Sequence, residues 1–148
     1  AAITPLLNAM ENTNASVFVH VISDVASAGT LIMMAADNVY VNPYSQLVFH
    51  QSSFGLYSVS STVEAAVTHT LKSTRELIRN SYKYFFTSEE LDRMLNGVEY
   101  FLNKEEFDER YARRNEAITA EIEAAKVAAP LEIKKPRTKK TNPVQLSE

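Results

Sequence analysis

Cysteine is absent from the 148 residues. That excludes disulfides, thiolate nucleophiles and cysteine-based zinc sites. Histidine is scarce: His20, His50 and His69 are too few and too scattered for a metal centre, and no cofactor is expected. No apolar run approaches the roughly 18 to 20 residues of a membrane span. The first residues also lack the basic, then apolar, then small-residue order of a signal peptide. A formal net charge of −3 supplies no positive excess to attract nucleic acid or an anionic membrane. The expectation is a cytoplasmic protein with neither as its partner. What is present is the balance of an ordinary globular domain, 45% hydrophobic and 22% charged, in a chain long enough to bury one core.

Ile3, Leu6, Leu7 and Met10 fall at helical spacing, and "ENTNAS" follows as a polar turn. "VFVHVI", Val17 to Ile22, is β-branched and aromatic almost throughout, the composition of a parallel strand buried on both faces. "AGTLIMMAA" reads as a short helix with Asp24 or Ser27 as its cap. "NVYVN", Pro43 and "SQLVFH" give a strand, a turn and a strand. This order implies an α/β layer. "QSSFGLYSVSS" is a polar, flexible or edge segment. A long helix is predicted from about Thr62 to Phe86, with Val63, Val67, Leu71, Thr74, Ile78, Tyr82 and Phe85 on one face. "TSEEL" is a capping box opening a helix that stops at Asn96-Gly97. "VEYFL", Val98 to Leu102, is a short strand. A charged helix is expected from Asn103 to Ala129, with Phe107, Tyr111, Ile118 and Ile122 on one stripe. From Pro130 the composition is that of a disordered basic tail. The domain reading is a core over 1–107, a helical extension over 108–129 and the tail over 130–148.

"DVASAGTLIMMAAD" is the stretch with chemistry in it. A serine opening a helix lies beside the free N–H groups of the first turn, where the dipole favours developing negative charge. Its small neighbours Ala26, Ala28 and Gly29 leave room for a substrate backbone, and the Ala28 N–H is one candidate oxyanion donor. The same pattern suits a plain helix cap. His50 closes the apolar strand "LVFH", at the strand end where ligand sites form in α/β folds. A histidine there is either structural or a general base. Spacing alone reaches an α/β domain with the parts of a hydrolase.

The stretch "VISDVASAGTLIMMAADNVYVNPYSQLVFHQ" resembles the active-site region of the Clp protease proteolytic subunit family. The resemblance lies in the Val25-Ala26-Ser27-Ala28-Gly29 turn, Ala35-Ala36, Asn42-Pro43 and Leu47-Val48-Phe49-His50-Gln51, and extends over roughly Ala1 to Phe107. It implies a layered fold of the Clp and crotonase type, with the long helix as the "handle" through which two rings meet. It implies Ser27 as nucleophile and His50 as base. The family's acid segment aligns with "GVEYFLNKEE", which gives Glu99 where an aspartate is usual; Asp92 is the alternative acid. Signal-peptide peptidases share a Ser-Ala-Gly turn but use a lysine base, which the His-Gln strand end argues against. The implied activity is serine endopeptidase cleavage of unfolded or threaded polypeptides. The implied assembly is a homo-oligomeric ring (a heptamer, single or doubled) fed by an AAA+ unfoldase. The family's preceding segment, with a glycine-rich loop giving the second oxyanion N–H, lies outside the sequence. An N-terminally truncated form is therefore expected, and a catalytically impaired assembly subunit is the competing reading. The charged C-terminal helix resembles that of divergent phage members.

Overall fold

The computed structural model describes residues 3–51 and 60–128. Helix α1 spans Ile3–Asn12 and strand β1 spans Phe18–Val21; β2 (Val25–Ala26) leads directly into α2 (Ala28–Ala35). Strands β3 (Asn38–Val41) and β4 (Leu47–Phe49) follow, then the long α3 (Ser60–Ser81), α4 (Ser88–Leu95), β5 (Tyr100–Leu102) and α5 (Lys104–Ala128). The architecture is mixed α/β. β1 pairs in parallel with β3, while β2 pairs in parallel with β4, whose other edge takes β5 antiparallel. Among the described residues no helix is long and apolar enough to cross a membrane.

The core gathers around Phe49. Its ring lies 5.4 Å from Tyr82 and 5.2 Å from both Phe85 and Phe86, and Leu47, Met33, Met94 and Phe107 close the packing. Burying aromatic rings of this size stabilises the fold by several kcal/mol each, so that Phe49→Ala costs about 3–5 kcal/mol. Phe49 thereby fixes the end of β4, one residue before His50.

Three expectations shift. "VFVHVI" forms a parallel strand, but Phe18, His20 and Ile22 are exposed and only Val21 is buried. Hydrophobicity on both sides does not by itself say what covers the outer face. The long helix ends at Ser81 rather than Phe86, because Tyr84 takes φ 66° and turns the chain so that Phe85 and Phe86 both enter the core. No glycine or proline announces that turn. Along α3, Leu71 is exposed while Ile78 is buried, so the described part of the apolar stripe meets the core at its C-terminal end. The readings of residues 52–59 and of the tail lie outside the described residues, as does the side chain of Val63.

The capping box at α4 is present in full: Thr87 Oγ1 accepts from the Glu90 N–H, and Glu90 Oε2 accepts from the Thr87 N–H at 2.8 Å. Glu90 also holds Arg110 of α5 through two bonds of 2.8 and 3.0 Å. That guanidinium, with help from the Thr87 N–H, lowers the Glu90 carboxyl from 4.5 to about 2. The boundary between residues 107 and 108 falls within α5, which runs on as one helix. Its first turns are anchored by Phe107, fully buried and stacked on Tyr111, whereas residues 119–128 are exposed.

Candidate active site

β2 is short because its continuation becomes a turn. Val25 and Ala26 lie level with Leu47 and Val48 of β4, and the Ser27 N–H donates to the Val48 carbonyl at 3.3 Å. Ser27 then leaves the ladder with φ 55° and ψ −122°. A positive φ at a residue bearing a Cβ costs about 1–3 kcal/mol and persists where its surroundings over-determine it. This position is the N-cap of α2, yet the backbone is not in the extended region that caps use, and the hydroxyl makes no capping bond. The hydroxyl is therefore not engaged by the helix whose start it marks. The other candidate cap, Asp24, accepts from the Gln46 N–H at 2.8 Å instead.

Three contacts hold the turn. Gly29 packs so closely on β2 that a Cβ there would come within 2.7 Å of Val25 Cγ1. The Ser27 carbonyl accepts from the Thr30 N–H at 3.0 Å and from Thr30 Oγ1 at 2.6 Å. Thr30 Oγ1 in turn lies 2.7 Å from the Tyr82 hydroxyl. Thr30 and Tyr82 are both buried, and burial pushes the Tyr82 phenol up to about 12. The N–H groups of Ala28 and Gly29 precede the first intrahelical donor and point out of the helix start, where partial positive charge accumulates. Thr30 and Tyr82 escape sequence reasoning. The one signal was a hydroxyl residue inside the apolar run "AGTLIMMA", and Tyr82 reads simply as a member of the apolar stripe.

His50 lies one residue past β4, so the parallel pairing brings Ser27 and His50 to the same ends of neighbouring strands. Its ring Nδ1 lies 2.7 Å from the Gln51 carbonyl. A carbonyl only accepts, so Nδ1 donates to it; in the neutral ring this leaves the lone pair on Nε2, the tautomer a general base needs. Glu99 is one step beyond the last β4–β5 pair, Phe49 with Tyr100, as His50 is on β4; were that register to continue past the ladder, the two would be opposite each other. Residues opposite each other share a face, with Cβ atoms about 4.5–5.5 Å apart. Glu99 is exposed and follows the Gly97 turn, whose φ of 98° suits glycine. No hydrogen bond joins Ser27 to His50 or His50 to Glu99 in this state, and catalytic bonds commonly tighten only when substrate arrives. Asp92 is engaged elsewhere: its carboxylate holds Arg79 at 2.5 Å.

A broad hollow of about 670 Å³ is lined by Arg79, Lys83, Tyr84 and Arg113, among others, and includes neither Ser27 nor His50. Its cations are held by Asp92, Glu121 and the Phe85 carbonyl. Among the described residues no three histidines, aspartates or glutamates gather as a metal site.

No curated protein matches the chain. The family model for Clp protease matches residues 1–107, from α1 through the elbow that Ser27 makes between β2 and α2, both parallel pairs and β5 to the buried Phe107. With that match covering well over half of its length, the chain belongs to the Clp protease family.

Proposed function

We propose that this chain is a serine-type peptidase subunit that hydrolyses unfolded or threaded polypeptides. Ser27 is the nucleophile, His50 the general base, Glu99 the orienting acid and the Ala28 N–H an oxyanion donor. The observation that carries this reading is the Ser27 hydroxyl, placed at a helix start in a strained turn and engaged in no capping bond. His50 Nε2 takes the Ser27 proton as Oγ attacks the scissile carbonyl, and the Ala28 N–H stabilises the resulting oxyanion. His50 then hands that proton to the leaving amine. Water, deprotonated by His50, releases the acyl group from Ser27. Clp proteases are generally oligomeric, and a homo-oligomeric ring of Clp type with an unfoldase to thread its substrates is the assembly proposed, in the cytoplasm. In the same reading residues 1–107 are the catalytic core, in the layered Clp and crotonase arrangement, and the rest of α5 is an appended helix.

A second reading, a family subunit that assembles without catalysing, is favoured by the missing Ser27–His50–Glu99 hydrogen bonds. A fluorophosphonate probe separates the two. Covalent labelling, mapped to Ser27 by mass and abolished in Ser27→Ala, is the outcome expected of the peptidase. No labelling of the assembled protein establishes the second reading instead.

A further inference from the structure

The Ser27 carbonyl and the Ala28 N–H belong to one peptide unit. That unit is planar and trans, so its C=O and N–H point in opposite directions and turn together. Whatever fixes the carbonyl also aims the N–H. The carbonyl is held from below by Thr30 Oγ1 at 2.6 Å, in addition to the ordinary Thr30 N–H bond at 3.0 Å. Because a carbonyl only accepts, the Thr30 hydroxyl spends its proton on Ser27. The Tyr82 hydroxyl, 2.7 Å away, must therefore be the donor to Thr30. The direction of every hydrogen in this chain is thus determined. Both side chains are buried, Thr30 fully and Tyr82 to 1% exposure. A buried, fully satisfied chain of this kind is stiffer than a water-exposed one. A threonine bonding back to the carbonyl three residues earlier is a local side chain–backbone bond; here a buried phenol from 52 residues along the chain is added to it.

We propose that Tyr82 and Thr30 are positioning residues that aim the Ala28 N–H at the oxyanion of the reacting carbonyl, acting through the shared Ser27–Ala28 peptide. The proposal rests on the reading of Ser27 as nucleophile. It assigns a task at the reaction centre to a residue just past the C-terminal end of α3.

The test is the saturation kinetics of Ser27 phosphonylation by the fluorophosphonate probe, on the whole chain, with melting temperatures measured alongside. Thr30→Val keeps the shape and removes the hydroxyl; it is expected to lower the maximal labelling rate about 10- to 100-fold with the probe's half-saturation unchanged. That falls short of the roughly 100- to 1000-fold that outright loss of an oxyanion donor costs. Tyr82→Phe is expected to lower it less, and Thr30→Ser to restore it. A merely structural role would reduce the fraction of protein that labels, not the rate constant of the fraction that does. Unchanged rates in Thr30→Val and Tyr82→Phe overturn the proposal, as does a failure of Thr30→Ser to rescue. Should Thr30→Val not fold, Tyr82→Phe, which deletes a single hydroxyl, decides alone. If the unsubstituted chain itself does not label, the nucleophile reading falls and the proposal falls with it; if it labels and the variants label equally fast, the proposal falls alone.

Discussion

The two ends of the candidate site are built to different tolerances. At the Ser27 end, a strained backbone is pinned by a ladder bond to Val48, a doubly held carbonyl, a buried hydroxyl chain and a glycine pressed against Val25. At the Glu99 end, an exposed glutamate lies just outside a three-residue strand, after a glycine turn where an added Cβ would meet the Gln51 side chain at an ordinary 3.8 Å. In the proposed reading the difference matches what each group is asked to do. Attack and oxyanion stabilisation depend on distances of a few tenths of an ångström, and a 1 Å misplacement can cost about 100-fold. Orienting a histidine is less exacting, and here the Gln51 carbonyl already selects the tautomer.

Removing the proposed reacting groups has the largest expected effect. Ser27→Ala or His50→Ala is expected to lower kcat for a fluorogenic peptide on the order of 10⁵- to 10⁶-fold, with the melting temperature held. Gly29→Ala attacks the stiff end without touching a reacting atom. Its methyl meets a β-branched side chain that cannot swing away, so α2 must shift from β2. A kcat loss of about 100-fold is expected, and retention of full activity would show the elbow to be more forgiving than its packing implies. Glu99→Gln probes the loose end. The expected loss is about 10- to 100-fold, well short of the ~10⁴-fold that follows loss of the carboxylate in a tightly built triad; a 10⁴-fold loss would place the two ends on an equal footing.

The smallest effect lies away from the site. Glu90→Gln weakens the Arg110 pair and the capping box together and is expected to cost about 1–2 kcal/mol at neutral pH. The sign with pH follows from a depressed carboxyl. The stabilisation is fully present above about 4.5 and is lost as the pH falls towards about 2. Melting temperatures measured from neutral to acidic pH should therefore converge for the two proteins at the acid end.

Much of this was legible in the residues. The capping box Thr87–Glu90 and the stop at Asn96-Gly97 are local signals, and they form where they read, whereas the two-residue strand β2 before Ser27 carries no such signal. Ser27 and His50 stand out because small residues and a strand end are visible in one dimension. The positive φ at Ser27 is not, since it is imposed by contacts from β4, Thr30 and Gly29 together. Tyr82 illustrates the same limit: at helical spacing it counts as one more apolar residue, and only the fold reveals that its hydroxyl, not its ring alone, has a partner. The outward face of β1 is the converse case, since its sequence does not say what lies against it.

The buried Tyr82 phenol also gives the fold a spectroscopic signature. The chain has seven tyrosines and no tryptophan, so its near-ultraviolet absorbance belongs mainly to phenols. In an alkaline titration followed by phenolate absorbance, a phenol with an ordinary value of 10.0 ionises in step with solvent pH, while Tyr82 holds its proton towards about 12. The neutral phenol is favoured by the folded state, so the stability it contributes is intact below about 10 and drains away as the pH climbs towards 12. A late step in that absorbance curve would thus time the opening of the contact between the segment just past α3 and the turn at Ser27, with no label attached to the protein.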